Sequence, residues 1–287
     1  MKLDTQPVRW VCWVALLLTL AGCDGWTKGE TVTDPVGMPA LHTVCLGRHL
    51  VDLPEELGLR GDVDLYYGLG KDFKTVKVRV LQVKGEATGL SSASVFKKDK
   101  PEDIEAKMLA VAQSTSYATD PLQKSKGTCI GPLVIDAGQD GERFSLGTRG
   151  TKHTDLTLEI TINSMLAETD GGLLKRVDSK AGVLAKLGGM ASTLRRGKVS
   201  IAGRPAEELI DEIKEEDKTV RLFVAETLLT KPSTFAEPRI HIEMSQGGQI
   251  QTGPNESAYI DPSISKKDSL AMWDAIIKSI RLRPGSV

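Results

Sequence analysis

The sequence predicts an α+β protein of two lobes, each an antiparallel sheet with packed helices. Three observations carry this. Strand signals with period-two alternation recur: in Thr75–Val83, Val76, Val78 and Val80 are split by Lys77 and Arg79, so one face is buried and the other wet. Long stretches with apolar residues at helical spacing break the run of strands, as around Leu173 to Leu187 and Leu270 to Ile280. An order of three strands followed by a helix occurs twice, which suggests two related lobes. The repeat is one of element order, not of residue identity. The seam is expected near Gly188–Lys198, giving an N-terminal lobe over 41–194 and a C-terminal lobe over 195–287.

The first ordered stretch is His42–Pro54, with strand-forming residues, a turn or bulge at Gly47 and a stop at Pro54. Val63–Tyr67 and Thr75–Val83 follow as strands. Residues 101–115 predict a helix. Pro101 suits its first turn, Glu102 and Asp103 favour its positive end, and Ile104, Met108, Leu109, Val111 and Ala112 line one side. Strand signals then cover Cys129–Ile135, Glu142–Gly147 and Leu156–Ile162, and a long helix is expected over Gly172–Leu194. The second set begins with Lys198–Ile201, passes a turn at Gly203-Arg204-Pro205, and continues with Thr219–Leu229 and Arg239–Met244. A last helix runs from about Ser265 to Leu282. Ser265 and Asp268 read as a capping box with Asp in place of Glu, and Leu270, Trp273, Ile277 and Ile280 make the apolar stripe.

The N-terminus is organised differently. Lys2 and Arg9 precede an apolar run from Trp10 to Leu20, which has the form of a secretory signal peptide and is too short to span a bilayer. The run closes on Leu20-Ala21-Gly22-Cys23, which resembles the bacterial lipobox, in which the cysteine is acylated and becomes the first residue after cleavage. An ordinary signal peptide with an incidental cysteine is the alternative. On the lipobox reading, residues 1–22 are removed and the acyl chains on Cys23 hold the protein at a membrane, the body itself not needing to touch lipid. Asp24, by resemblance to enteric lipoproteins, favours the inner membrane and so a periplasmic body. Residues 23–40 hold Gly25, Gly29, Pro35, Gly37 and Pro39 with little periodicity and read as a flexible tether.

The whole chain carries a net charge of −1. Removing residues 1–22 takes away Lys2, Arg9 and Asp4, a net +1, and leaves −2. So small a charge argues against nucleic acid as a partner and against an electrostatic hold on anionic lipid. Aromatic residues are only 5% of the chain, so the core must be mostly aliphatic and no aromatic-lined cofactor groove is suggested. Of four cysteines, Cys12 leaves with the signal peptide and Cys23 is claimed by lipid. Cys45 and Cys129 remain as a single pair in an oxidising compartment and are expected to form a disulfide. It would close a loop of about 84 residues, worth roughly 4–5 kcal/mol by chain entropy. Two buried free thiols are the alternative.

No catalytic constellation emerges. There is no Gly-x-Ser-x-Gly elbow, and Ser91, Ser92 and Ser94 read as a polar loop without a nearby His. Cys45 lies between His42 and His49, but a disulfide would remove it as a nucleophile. His42, His49, His153 and His241 show no metal-ligand spacing, and Cys45 and Cys129 lack a second ligand at C-x-x-C distance, so neither metal nor cofactor is expected. Gly68-Leu69-Gly70 lacks the rest of a dinucleotide loop, and Gly147–Lys152 reads better as a hairpin than as a phosphate loop. The acidic residues from Glu207 to Asp217 are expected on a solvated strand edge and turn, with a patch for a basic partner as the sharper reading.

Three stretches together carry a resemblance. Thr43–Pro54 (TVCLGRHLVDLP), Ala202–Glu208 (AGRPAEE) and Trp273–Arg281 (WDAIIKSIR) resemble the opening, the start of the second domain and the C-terminal helix of the immunity proteins that neutralise type VI secretion phospholipase effectors. Their order and spacing cover nearly the whole mature chain. The resemblance implies a two-domain, lipid-anchored periplasmic binder that is not an enzyme. It would clamp a cognate lipase and keep its active site or lid from working, with the cleft between lobes as the natural grip. No partner-contact residue carries over. An envelope lipoprotein binding a peptide, lipid or assembly partner, and an unrecognised hydrolase, are the other readings.

Overall fold

The His42–Pro54 stretch folds back on itself. Strand β1 (Leu41–Gly47) and β2 (His49–Pro54) pair antiparallel from Leu41↔Pro54 to Leu46↔His49, leaving Gly47-Arg48 as the turn. Gly47 takes φ +62°, a conformation that costs glycine nothing and that tight hairpin turns demand. The computed structural model describes residues 40–58, 60–68, 74–83, 86–94, 100–117, 120, 125–167, 171–179, 191–215, 217–254 and 256–287. The expected signal segment, Cys23 and the tether up to residue 39 lie outside these, as does the middle of the helix expected over Gly172–Leu194.

After the hairpin come β3 (Arg60–Tyr67), β4 (Lys74–Val83) and β5 (Glu86–Ser94). The stretch around Ser91, expected as a loop, is therefore a strand, and it pairs with β4 along its length. Helix α1 (Pro101–Gln113) follows, with Val111 turned inward. Leu109, expected on the inner side, is instead exposed. Short strands β6 (Thr115–Tyr117), β7 (Thr128–Ile130) and β8 (Leu133–Ile135) lead to β9 (Gly141–Arg149) and β10 (Thr157–Asn163). The long helix begins as α2 (Leu173–Ser179), but Ala191–Leu194 is strand: β11 (Ala191–Ile201) pairs with β12 (Arg204–Glu215). Then come β13 (Lys218–Thr227), β14 (Arg239–Gly253), β15 (Glu256–Ile260), helix α3 (Lys266–Ser279) and β16 (Arg281–Leu282).

Among the described residues the strands form two sheets. One has six strands in the order β16-β2-β1-β7-β8-β6. The other has ten, in the order β11-β12-β13-β14-β10-β9-β3-β4-β5 with β15 added onto β14. The expected α+β class is corrected in emphasis: the fold is mostly antiparallel sheet, and helices are few among the described residues. The larger sheet also crosses the expected seam. Strand β10 pairs with β14 from Thr157↔Ser245 to Asn163↔Arg239, so hydrogen bonds join the two halves of the chain in one continuous sheet. The 194/195 limit falls within β11, beside a register shift between Thr193 and Arg195.

One face of the large sheet is the core face. Val63, Leu65, Phe144, Ile160, Phe223, Ile240 and Ile242 are all fully buried there. Helix α3 seals its C-terminal half. Ser265 caps the helix by accepting the Asp268 N–H, and Trp273 is wholly buried against Phe223 at 5.5 Å between ring centroids. The same helix reaches the smaller sheet, where the Asp52 N–H donates to Ser279 Oγ at 2.9 Å.

A candidate binding surface at the junction of the two halves

Alternation along β12 divides the acidic run from Glu207 to Asp217. Strand β12 lies inside the sheet between β11 and β13, so the expected strand edge is corrected. Glu208 and Glu212 point to the α3 side. Glu208 accepts from Trp273 Nε1 at 3.1 Å and pairs with Arg195, while Glu212 takes Arg221 and Lys266 at 3.2 Å each. Glu207 and Asp211 point the other way. A period of two forbids a single patch: successive carboxylates leave by opposite faces.

The face turned away from α3 is mixed in character, and α2 lies on part of it: the Leu174 N–H donates to Glu207 Oε2 at 2.9 Å, and Arg176 meets Glu226 at 2.7 Å. Leu209 sits opposite Val224, and Ile213 opposite Val220. With Leu222, which is 36% exposed, they form an apolar strip across β12 and β13. The row beside it is polar: Glu207, Glu226, His241 and Thr161 are neighbours across four strands. Burial opposes the charge on Glu226, but hydrogen bonds from His241, Arg239 and Arg176 hold its carboxyl down to about 2. His241 is also penalised by burial, yet Glu226 and Glu243 on either side raise it above the ordinary histidine value. An apolar strip rimmed by ordered charges suits a protein–protein contact.

A second polar cluster ties the halves together around the β1–β2 turn. Arg48 Nε lies 3.2 Å from Glu142 Oε1, and both side chains are buried. Arg48 also donates to the Ser286 carbonyl, and its guanidinium stacks over Phe235 at 3.9 Å. Gln139 Nε2 donates to the other Glu142 oxygen at 3.2 Å. Burial pushes the Glu142 carboxyl above its usual range even with Arg48 beside it. Arg283 crosses the same region and donates to the Ser125 and Gly127 carbonyls. The turn between β1 and β2, the loop after β13 and the C-terminal residues thus meet at one place. His49 lies here too. Burial, and then the charges of Arg204 and Arg48, lower it to about 4, so it is neutral at physiological pH.

The remaining sequence candidates are dispersed. Cys45 and Cys129 stand on adjacent strands with Cα atoms 5.7 Å apart and are joined as a disulfide. His153 Nδ1 meets Ser263 Oγ at 2.8 Å, far along the chain from His42 and His49. Among the described residues no group of three His, Cys, Asp or Glu could hold a metal ion.

The family model for the Tle cognate immunity protein 4 C-terminal domain matches residues 121–285, more than half of the chain. The chain belongs to the Tle cognate immunity protein 4 family. It is not an enzyme, since this is a family of immunity proteins. No curated relative matches it in sequence. Among solved structures it is similar to the apo immunity protein TplEi of the type VI secretion system (T6SS) from Pseudomonas aeruginosa, at 20% identity and a TM-score of 0.61, covering 86% of this chain and 98% of that one. The same protein complexed with "L" peptide matches equally well, at 20% identity, TM-score 0.61, and 85% and 99% coverage. The crystal structure of the Tle4–Tli4 complex matches at 19% identity and TM-score 0.63, covering 86% of this chain and 99% of that one. At such identities the likeness is one of fold.

For a Tle cognate immunity protein 4 family member, the sequence stretches singled out earlier acquire places. Thr43–Pro54 is the hairpin whose turn presents Arg48. Ala202–Glu208 is the turn into β12, and Trp273–Arg281 is the end of α3 and its exit. The junction cluster of Arg48, Glu142 and Arg283 was not legible beforehand. Sequence separations of 94 between Arg48 and Glu142, and 158 between Arg283 and Ser125, leave no local signal.

Proposed function

We propose that this chain is a T6SS immunity protein that binds a cognate Tle phospholipase effector and blocks it by covering its active site or lid. We further propose that it works in the periplasm, held to the inner membrane through an acylated Cys23. Family membership over residues 121–285 carries the first part, and the likeness in fold to a Tli4 crystallised with Tle4 supports it. The physical features agree with inhibition by shape. A continuous sheet gives a stiff body, and its face turned away from α3 carries the apolar strip of Leu209, Leu222 and Val224 beside a charged row. Stable contacts of this kind bury roughly 1,600 Å² in total. The second part rests on the lipobox and on Asp24.

The test is direct. A Tle phospholipase, sought first among the neighbouring genes, is expressed in the periplasm of a susceptible cell, with and without this chain. Rescue of growth, a stoichiometric complex and loss of lipase turnover are expected. Toxicity that persists at molar excess of the purified protein would sink the inhibitory reading. Palmitate labelling of the wild type, lost in Cys23→Ser, tests the anchor separately.

A further inference from the structure

One element of the sequence is not absorbed by the fold. Ala202 and Gly203, the two central residues of the β11–β12 turn, take φ +53° and +72°. Positive φ at both positions is the type I′ geometry, which matches the strand twist but strains an alanine. This turn delivers Arg204 as the first residue of β12. Its guanidinium donates to the Pro238 carbonyl and meets no carboxylate of the described residues. Burial lowers its affinity for the proton, with Glu237 the one acidic influence. An arginine carries five N–H donors in a rigid fork, so most of this fork is free to bind.

The fork lines a cavity of about 340 Å³ between the β11–β12 turn and the loop that follows β13. Pro205, Leu228 and Leu229 wall it. Lys231 and Glu237 stand at its rim and neutralise each other at 2.7 Å. Arg204 therefore leaves the cavity one net positive charge. The loop that builds the far wall carries Phe235, which packs under Arg48 at the junction of the two halves.

We propose that this cavity seats an acidic side chain of the bound effector, an Asp or Glu flanked by an apolar neighbour, gripped by the Arg204 fork. The inference rests on the effector reading above and names one anchor within it. A guanidinium in a part-desolvated, apolar-walled concavity holds a carboxylate through charge-assisted paired hydrogen bonds, stronger than the same pair in open water. Arginines so placed are common energetic centres of protein interfaces. If Arg204 served only to tie the Pro238 carbonyl, neutralising it would alter the chain's stability and not its affinity.

The full chain, the Arg204→Gln variant and the Leu229→Asp variant are titrated calorimetrically with the cognate effector, and each is melted alone. Arg204→Gln is expected to weaken binding at least tenfold with its melting temperature close to wild type. Leu229→Asp, which leaves Arg204 intact but sets a like charge in the pocket, should weaken it as much and guards against a folding defect in the first variant. Recovery of affinity when Arg204→Glu meets an effector with one acidic residue changed to Lys would identify the seated side chain. Wild-type binding with both pocket variants within threefold of it overturns this inference and leaves the immunity reading standing. A wild-type chain that neither binds nor inhibits overturns both.

Discussion

Replacing Arg48 by methionine probes the junction most sharply. Arg48 is 7% exposed and Glu142 only 3%, and the pair is closed at 3.2 Å. Methionine keeps much of the stem volume but removes the cation, leaving Glu142 with only neutral side-chain partners such as Gln139. Breaking one side of a buried pair costs about 3–5 kcal/mol. Losing the contact over Phe235 adds about 0.5–1 kcal/mol. Against a total stability of about 5–15 kcal/mol, that is a loss visible in any urea titration. The double variant Arg48→Met/Glu142→Leu removes both charges, and exchanging a whole buried pair for apolar groups is close to neutral. It should recover most of the deficit, giving a coupling of at least about 2 kcal/mol. The pH dependence provides a second reading. Burial already raises Glu142, and removing Arg48 raises it further. Its folded value then lies above its unfolded value, so the penalty is least below the unfolded value and grows as pH rises through the folded one. The Arg48→Met deficit should therefore shrink on going from about pH 8 to about pH 5. Single-variant losses that simply add, or a deficit indifferent to pH, would refute the pairing argument.

Three further outcomes are expected. Reduction of Cys45–Cys129, or the double change to serine, removes a cross-link spanning 84 residues and should cost up to about 4–5 kcal/mol, read as a fall in melting temperature under reductant. His241→Gln should flatten the pH dependence of stability above the ordinary histidine value. The raised histidine stabilises the folded state below its unfolded value, and that contribution fades as pH climbs through the folded one; a variant whose stability falls with rising pH as steeply as the wild type would contradict this. Trp273→Phe keeps most of the apolar contact with Phe223 but deprives buried Glu208 of the indole donor, and should cost about 1–3 kcal/mol by chemical denaturation. A neutral result there would mean that Arg195 alone satisfies that carboxylate.

Local order was legible wherever it depends on neighbours in sequence. The alternation of buried Val76 and Val78 about Lys77, the Gly47 turn, the Ser265 cap and the stripe through Trp273 and Ile277 all stand in the structure as they read in the chain. The cysteine pair is likewise joined. Where long-range pairing competes with local propensity, the reading failed. Ala191–Leu194 carries helical spacing but hydrogen-bonds along β12 instead, and the serine-rich 91–94 stretch becomes a strand because β4 offers it a partner.

The family resemblance, and the likeness of Leu20–Cys23 to a lipobox, are properties of residues in a row and need no fold to be read. Which face each acidic residue of β12 occupies, and the seating of Arg204 beside Leu228 and Leu229, required the tertiary arrangement. So did the joining of both halves in one sheet through β10 and β14. The reason is physical. Alternation says that a strand has a wet side and a dry side, but the hydrogen bonds along its edges carry no address. Only the packing of Trp273, Phe223 and Phe144 into a single closed interior selects which edges meet.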